Sequence, residues 1–308
     1  MCIRDSPSLV QTGGELSPEA VAALIAHPRF PDAMRAMLTT AVRLFKGNRI
    51  LNHVGFDRGR VVTAILALYL HVSRRPDDPT SGLTAQRLKA LCVEQDVCSP
   101  GRARAMLALL RLFGYVAPAS GGDRRSKRLE PTELLLASQR QRWAAVFDAT
   151  AMMLPEGAAA RASLDRPDFL AAFVRRLVDH YRTGLRVLQF TPELRPFAER
   201  NAGLMILSSL VIAGAADDTM PPSRPVHISI SELARRFSVS RAHVLRLLRD
   251  AAAEGLIERA GTAQEAVLLL PPISRALQHC LAVLFLFFAH CARDALAEVN
   301  GEDSFRAR

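Results

Sequence analysis

One stretch, from Ser99 to Pro131 (SPGRARAMLALLRLFGYVAPASGGDRRSKRLEP), constrains the fold of this chain more than any other. Its first half predicts a helix, because the Ser99 side chain can accept a hydrogen bond from the first free N–H groups and Pro100 needs no donor at the first helical position. Gly114 predicts the end of this helix. Apolar residues at helical spacing predict one buried face: Ala103, Met106, Leu107, Leu110 and Phe113. The opposite face carries short or cationic side chains: Arg102, Arg104, Ala105, Ala108 and Arg111.

The second half of the stretch predicts a hairpin with a basic tip. Residues 115–117 have the composition of a strand, and residues 120–123 are rich in turn formers. A cationic helix followed by such a hairpin is typical of a winged helix-turn-helix, whose recognition helix fits the major groove and whose wing suits phosphates or the minor groove. The predicted DNA contacts of the stretch are Ser99, Arg102, Arg104 and Arg111 in the helix and Arg124, Arg125, Lys127 and Arg128 in the wing.

Residues 123–132 (DRRSKRLEPT) resemble the wing of MarR-type transcriptional regulators. In that family an Asp and a nearby Arg brace the hairpin, the Arg reaches DNA, and a Leu-Thr pair leads into the next helix. The resemblance covers roughly residues 83–150, and Pro131 between Glu130 and Thr132 departs from the family's pattern. It implies a winged-helix regulator that binds duplex DNA.

Much of this pattern recurs further along the chain, which predicts a tandem duplication. A Pro-Asp pair opens a helix at residues 31–32 and again at 167–168, and an Asp-Asp pair follows an apolar helix at 77–78 and again at 217–218. Other matches share an offset of 141 positions: Ser99 with Ser240, Gly114 with Gly255, and Pro131 with Pro272. We therefore predict a mainly α protein with small β wings, built from two copies of a helical and winged-helix unit. The predicted copies span residues 17–154 (helix-turn-helix and wing about 83–131) and 167–299 (about 229–271), joined by a linker at 155–166.

The two predicted copies differ where DNA would be touched. The first stretch carries seven cations and two anions, a net charge of +5, whereas residues 240–271 carry four of each. The first helix-turn-helix also has four more residues, since Thr84 to Ser99 spans fifteen positions and Ser229 to Ser240 spans eleven. We expect the first copy to supply most phosphate and wing contacts and the second to contribute Arg241, His243, Arg246 and Arg249. The alternative is that the second copy serves pairing or effector sensing.

Composition limits the other functions that this chain could have. Its net charge is +10 and its pI about 10.2, which favours an acidic partner such as nucleic acid. The phosphate-binding, zinc-protease and esterase motifs GxxxxGK[ST], HExxH and GxSxG are missing, so we expect no enzyme and no cofactor. The cysteines lack zinc-ligand spacing, so we expect no metal, and a reduced cytoplasmic chain in which Cys92 and Cys98 are small core residues or a redox pair. The apolar run 280–289 is short for a bilayer span and predicts a buried or dimerising helix, not a membrane segment.

These observations predict a MarR-like, sequence-specific DNA-binding regulator of transcription that acts as a fused pseudo-dimer, either as a monomer or as a homodimer. The expected partners are duplex DNA and a small-molecule effector of unknown identity. A plasmid-type replication initiator with tandem winged helices and a winged-helix protein-interaction adaptor are the alternatives. The first six residues, MCIRDS, resemble a translated adaptor sequence and are left out of the fold prediction.

Overall fold

The computed structural model describes residues 16–46, 58–75, 77–78, 81–119, 128–260 and 266–306. The MCIRDS segment and the predicted wing contacts Arg124, Arg125 and Lys127 lie outside these residues. The described chain is mainly helical with a few short strands, which confirms the mainly α part of the predicted fold class.

Thirteen α-helices and five strands make up the described chain, together with short 3₁₀ turns at residues 187–194. The helices of the first part are α1 (Pro18–Ile25), α2 (Phe30–Lys46), α3 (Arg58–Val72), α4 (Ala85–Glu94), α5 (Pro100–Leu112), α6 (Glu133–Thr150) and α7 (Pro155–Ser163). Those of the second part are α8 (Pro167–Arg182), α9 (Arg195–Ala198), α10 (Gly203–Ile212), α11 (Ile230–Phe237), α12 (Arg241–Ala253) and α13 (Pro271–Arg306). The strands are β1 (Val116–Pro118), β2 (Leu129–Pro131), β3 (Val226–His227), β4 (Ile257–Ala260) and β5 (Ala266–Leu269).

These elements form two compact units, each discontinuous in sequence. The unit that contains α12 draws its described residues from 16–46, 145–158, 186–260 and 266–290. The unit that contains α5 draws its described residues from positions 58–144, 159–185 and 291–306. The units therefore do not follow the contiguous segments 17–154 and 167–299, although each predicted helix-turn-helix lies within one unit.

In the α12 unit, α2 packs against α10. Helix α2 is amphipathic, and its buried residues recur at helical spacing: Phe30, Ala33, Met34, Leu38, Val42 and Phe45. Helix α10 is apolar except for Ser208 and Ser209 and is almost wholly buried. The ring of Phe45 meets that of Phe237 edge to face, with centroids 5.3 Å apart, so the contact joins α2 to the first helix of a helix-turn-helix.

In the α5 unit, α3 packs against α8 and also contacts α4, α5 and β2. The fully buried Phe173 of α8 lies at the centre of an aromatic cluster, stacked on Phe169 at 5.8 Å and edge to face with Trp143 at 5.5 Å. The Trp143 side chain is 3% exposed, as expected for a core residue. Two arginines of α8, Arg175 (2.6 Å) and Arg176 (2.7 Å), donate hydrogen bonds to Glu298 of α13.

Residues 155–163 of the predicted linker form α7, and the division between the two units falls inside this helix, between Ala158 and Ala159. Pro155 occupies the start of this helix, where proline is tolerated, and alanines supply the helix propensity. Gly157 permits a close approach, since a Cβ there would lie 2.3 Å from the main-chain nitrogen of Ala151. Gly157 is therefore a packing residue of α7.

Helix α13 is long and apolar enough to cross a membrane by length and composition alone. Its best window has a mean hydropathy of 1.7, and 56% of that window is buried. Within the α12 unit, Phe285 packs edge to face on Phe30 (6.3 Å) and Phe288 on Phe147 (5.8 Å).

Candidate nucleic-acid interface

Helix α5 has the cap and the buried face that the sequence predicts. The Ser99 side chain accepts a hydrogen bond from the N–H of Arg102 at 3.4 Å, and Pro100 is the first helical residue. Ala103, Met106 and Leu107 are buried, while Leu110 and Phe113 are only half-buried. The helix ends at Gly114, whose φ of +72° lies in the left-handed region that favours glycine.

The opposite face of α5 is exposed and cationic. Its exposed residues are Arg102, Arg104, Ala105, Ala108, Arg111 and Leu112, which is 74% exposed, and α5 contains no acidic residue. The short side chains of the two alanines leave space between the arginines. Such a surface can approach the edges of bases closely while its guanidinium groups reach guanines or phosphates.

A short hairpin follows α5 and is anchored to its C-terminal end. Strands β1 and β2 pair antiparallel, with Val116 opposite Pro131. The Thr132 hydroxyl donates to the carbonyl of Gly114 at 2.6 Å. On its other side, the hairpin joins the start of α4 through a bridge between Thr84 and Arg128.

Most of the predicted wing contacts lie outside the described residues. Of the predicted wing cations, Arg128 is described, and its side chain is half-buried. Its main-chain carbonyl accepts from the N–H of Ala119 at 3.1 Å. The charge difference between the two copies depends largely on Arg124, Arg125 and Lys127, which lie outside the described residues.

Helix α12 is built in the same way as α5. Ser240 caps it by accepting from the N–H of His243 at 3.1 Å, and Gly255 follows its end with a φ of +68°. One face is fully buried through Val244, Leu247, Leu248 and Ala251. The other face exposes Arg241, Ala242, Leu245, Arg246 and Arg249.

Two contacts within the α12 unit restrict the predicted contact set. The His243 Nε2 lies 2.9 Å from the carbonyl oxygen of Asn201, so this ring nitrogen is already hydrogen-bonded. Asp250, the single acidic residue of α12, accepts from Arg200 at 2.5 Å. The three arginines of α12 remain on the exposed face, and we leave His243 out of the contact surface proposed below.

A three-stranded sheet accompanies α12. Strand β5 lies between β3 and β4, and Ile257 pairs with Leu269 at the base of the β4–β5 hairpin. The N–H of Leu270 donates to the carbonyl of Leu256 at 3.0 Å, which closes the hairpin against the end of α12. The sequence has no cation from Thr262 to Ala266, and of these residues Ala266 is described.

The extra residues of the first helix-turn-helix divide between helix and turn. Helix α4 has ten residues and α11 has eight. Five residues separate α4 from α5, whereas three separate α11 from α12. Both turns use a non-glycine residue with positive φ, Asp96 (51°) and Ser238 (56°). The short second turn has the length common in DNA-binding helix-turn-helix motifs.

Sequence reasoning missed exposed cations on the first helix of each helix-turn-helix. Arg87 of α4 and Arg235 of α11 are exposed. Each helix begins at a side-chain cap, Thr84 or Ser229, and the first helix of this motif runs across the DNA backbone. A cation shortly after a predicted cap was the available signal.

The two neighbouring cysteines and a polar cleft are weaker candidates for a functional site. Burial raises the pKa of the Cys92 thiol to about 11 and raises that of Cys98, so both stay protonated thiols at neutral pH. In the α12 unit, a cleft of about 300 Å³ is lined by Arg195, Pro196, Glu199, Arg200, Asp250 and Glu254. The Arg200–Asp250 ion pair occupies part of this polar lining. The cleft therefore differs from the apolar pocket that a typical small-molecule effector requires.

No protein-family model, curated protein or solved structure matches the chain.

Proposed function

We propose that this protein is a sequence-specific regulator of transcription that binds duplex DNA through two winged-helix elements, with a MarR-like first copy. One observation carries the proposal: α5 and α12 each expose three arginines on the face opposite their buried residues. Each is the second helix of a helix-turn-helix and is followed by a hairpin. This is the arrangement that places a cationic helix in the major groove.

A pairing of helices within each unit supports the proposed duplication. Helices α2 and α8 begin at the two Pro-Asp pairs, and α3 and α10 are the apolar helices that follow them. In one unit α2 packs on α10, and in the other α8 packs on α3. Each helix that begins at a Pro-Asp pair thus packs on the apolar helix of the other copy. Identical subunits exchange equivalent elements in this way when they form swapped dimers. Two copies fused in one chain can pack in the same exchanged arrangement.

The proposed protein acts as a fused pseudo-dimer that reads an asymmetric site, because the exposed faces of α5 and α12 differ. The face of α5 combines arginines with Ala105, Ala108 and the terminal Leu112, whereas that of α12 has Leu245 between its arginines. We place the protein in the cytoplasm and assign it no catalytic step.

Selection of bound sequences from random duplexes, combined with the mass of the complex in solution, tests this proposal. We expect one asymmetric site bound by one chain. A long palindrome bound by two chains would contradict the pseudo-dimer, and iterated direct repeats would indicate a replication initiator. Failure to retain any duplex at low salt would refute DNA binding and favour a protein-interaction adaptor.

A further inference from the structure

Leu245 is an apolar side chain at the centre of the cationic face of α12. It is 39% exposed, although the buried face of the helix is already complete with Val244, Leu247 and Leu248, each 0% exposed. The exposed part of the Leu245 side chain therefore adds nothing to the core of the α12 unit. A large apolar side chain at a position that the fold leaves open gains free energy only when another surface covers it.

The neighbours of Leu245 on this face are arginines. Arg241 and Arg249 stand one helical turn before and after Leu245, so the three side chains form one stripe, and all three residues are exposed. The Arg249 side chain is 72% exposed and its Nε lies 3.6 Å from Asp250, a solvated contact that leaves it on the surface. A stripe of arginine, leucine and arginine suits a surface that is anionic at its margins and apolar at one point between them.

The major groove of DNA offers such a surface at thymine. Thymine is the base that presents a methyl group there, while phosphates line both edges of the groove and guanine offers acceptors to arginine. Resting on the proposed function, we infer that Leu245 is a specificity-determining residue that packs against the C5-methyl group of a thymine in the half-site read by α12. The equivalent position of α5, 141 residues earlier, is Arg104. The two half-sites therefore differ at this base pair, with a thymine under Leu245 and a hydrogen-bonding partner under Arg104.

The test uses the full chain and the duplex recovered by selection, with each thymine replaced in turn by deoxyuridine, which lacks only the methyl group. We expect one replacement to weaken binding by the wild-type chain about fourfold, the ratio that corresponds to about 0.8 kcal/mol for one buried methyl-sized group. The Leu245→Ala chain should bind the two duplexes equally, because the methyl group has lost its partner. Alanine favours the helix at this exposed position, so the variant should keep the wild-type helical circular dichroism.

Leu134→Ala is the matched control. Leu134 is 51% exposed on α6, outside both helix-turn-helix motifs, so this variant should retain the fourfold difference. If the wild-type chain binds the selected duplex but tolerates every replacement, or if Leu245→Ala keeps the fourfold difference, the inference is wrong and the proposed function stands. If no duplex is bound at all, the proposed function is wrong and the inference falls with it.

Discussion

Replacing Gly203 with alanine should destabilise the α12 unit by about 3 kcal/mol, at the upper end of the cost of overpacking a core. A Cβ at this position would lie 2.1 Å from the carbonyl oxygen and 2.9 Å from the carbonyl carbon of Phe197. Both are main-chain atoms, and Phe197 is itself fully buried, so neither can move aside without shifting α9. Gly203 also begins α10, which packs against α2. The clash therefore displaces a central helix of the unit.

Urea unfolding followed by circular dichroism measures this effect as a lower midpoint at an unchanged slope. Gly101→Ala is the matched control, because a Cβ there meets no atom within 4 Å and Gly101 lies in the exposed first turn of α5. Alanine should leave stability unchanged or raise it by up to about 1 kcal/mol at that position. Equal midpoints for Gly203→Ala and the wild-type chain would show that α9 and α10 can separate at little cost.

The local elements of the candidate site could be predicted from the sequence. The cap at Ser99, the buried positions Ala103, Met106 and Leu107, and the stop at Gly114 all follow from neighbouring residues. These features depend on hydrogen bonds and side-chain spacing within one or two turns, and such signals are local. The predicted strand at 115–117 is displaced by one residue, to 116–118, as is common for element boundaries.

The division into units could not be predicted in the same way. Helices α2 and α8 both present an apolar stripe, and α3 and α10 both accept one, so the sequence allows either pairing. Which helix covers which stripe is decided by packing over the whole chain and leaves no local signal. The engagement of His243 with the carbonyl of Asn201 is hidden for the same reason, since the two residues lie 42 positions apart.

Removing the three arginines of α5 together, in Arg102→Ala/Arg104→Ala/Arg111→Ala, should cause the largest loss of DNA affinity of any change described above. Each lost phosphate contact lowers the slope of log affinity against log salt by about 0.9, so three contacts lower it by about 2.7. Where the lost arginine contacts a base instead of a phosphate, its removal should relax specificity at that base pair. The side chains are exposed, so the variant should fold like the wild-type chain.

A control variant with the same change in net charge distinguishes arginines that contact DNA from arginines that only attract it at long range. Arg43, Arg161 and Arg293 are exposed outside both helix-turn-helix motifs, on α2, α7 and α13, and their triple alanine variant also lowers the net charge by three. It should keep the wild-type slope, because distant charges are screened at moderate salt. If this control flattens the slope as much as the α5 variant, the affinity reflects general charge and α5 is not the contact surface.

The corresponding change in α12, Arg241→Ala/Arg246→Ala/Arg249→Ala, decides the role of the second copy. Helix α12 exposes as many arginines as α5. It should therefore contribute to the slope of log affinity against log salt, even though residues 240–271 have no net charge. We expect a reduction of up to about 2.7, as for α5, because three exposed arginines are removed in each case. An unchanged slope and an unchanged selected sequence would assign α12 to pairing or effector sensing. A flattened slope together with a change confined to one half of the selected site would show that both helices read DNA and that each reads its own sequence.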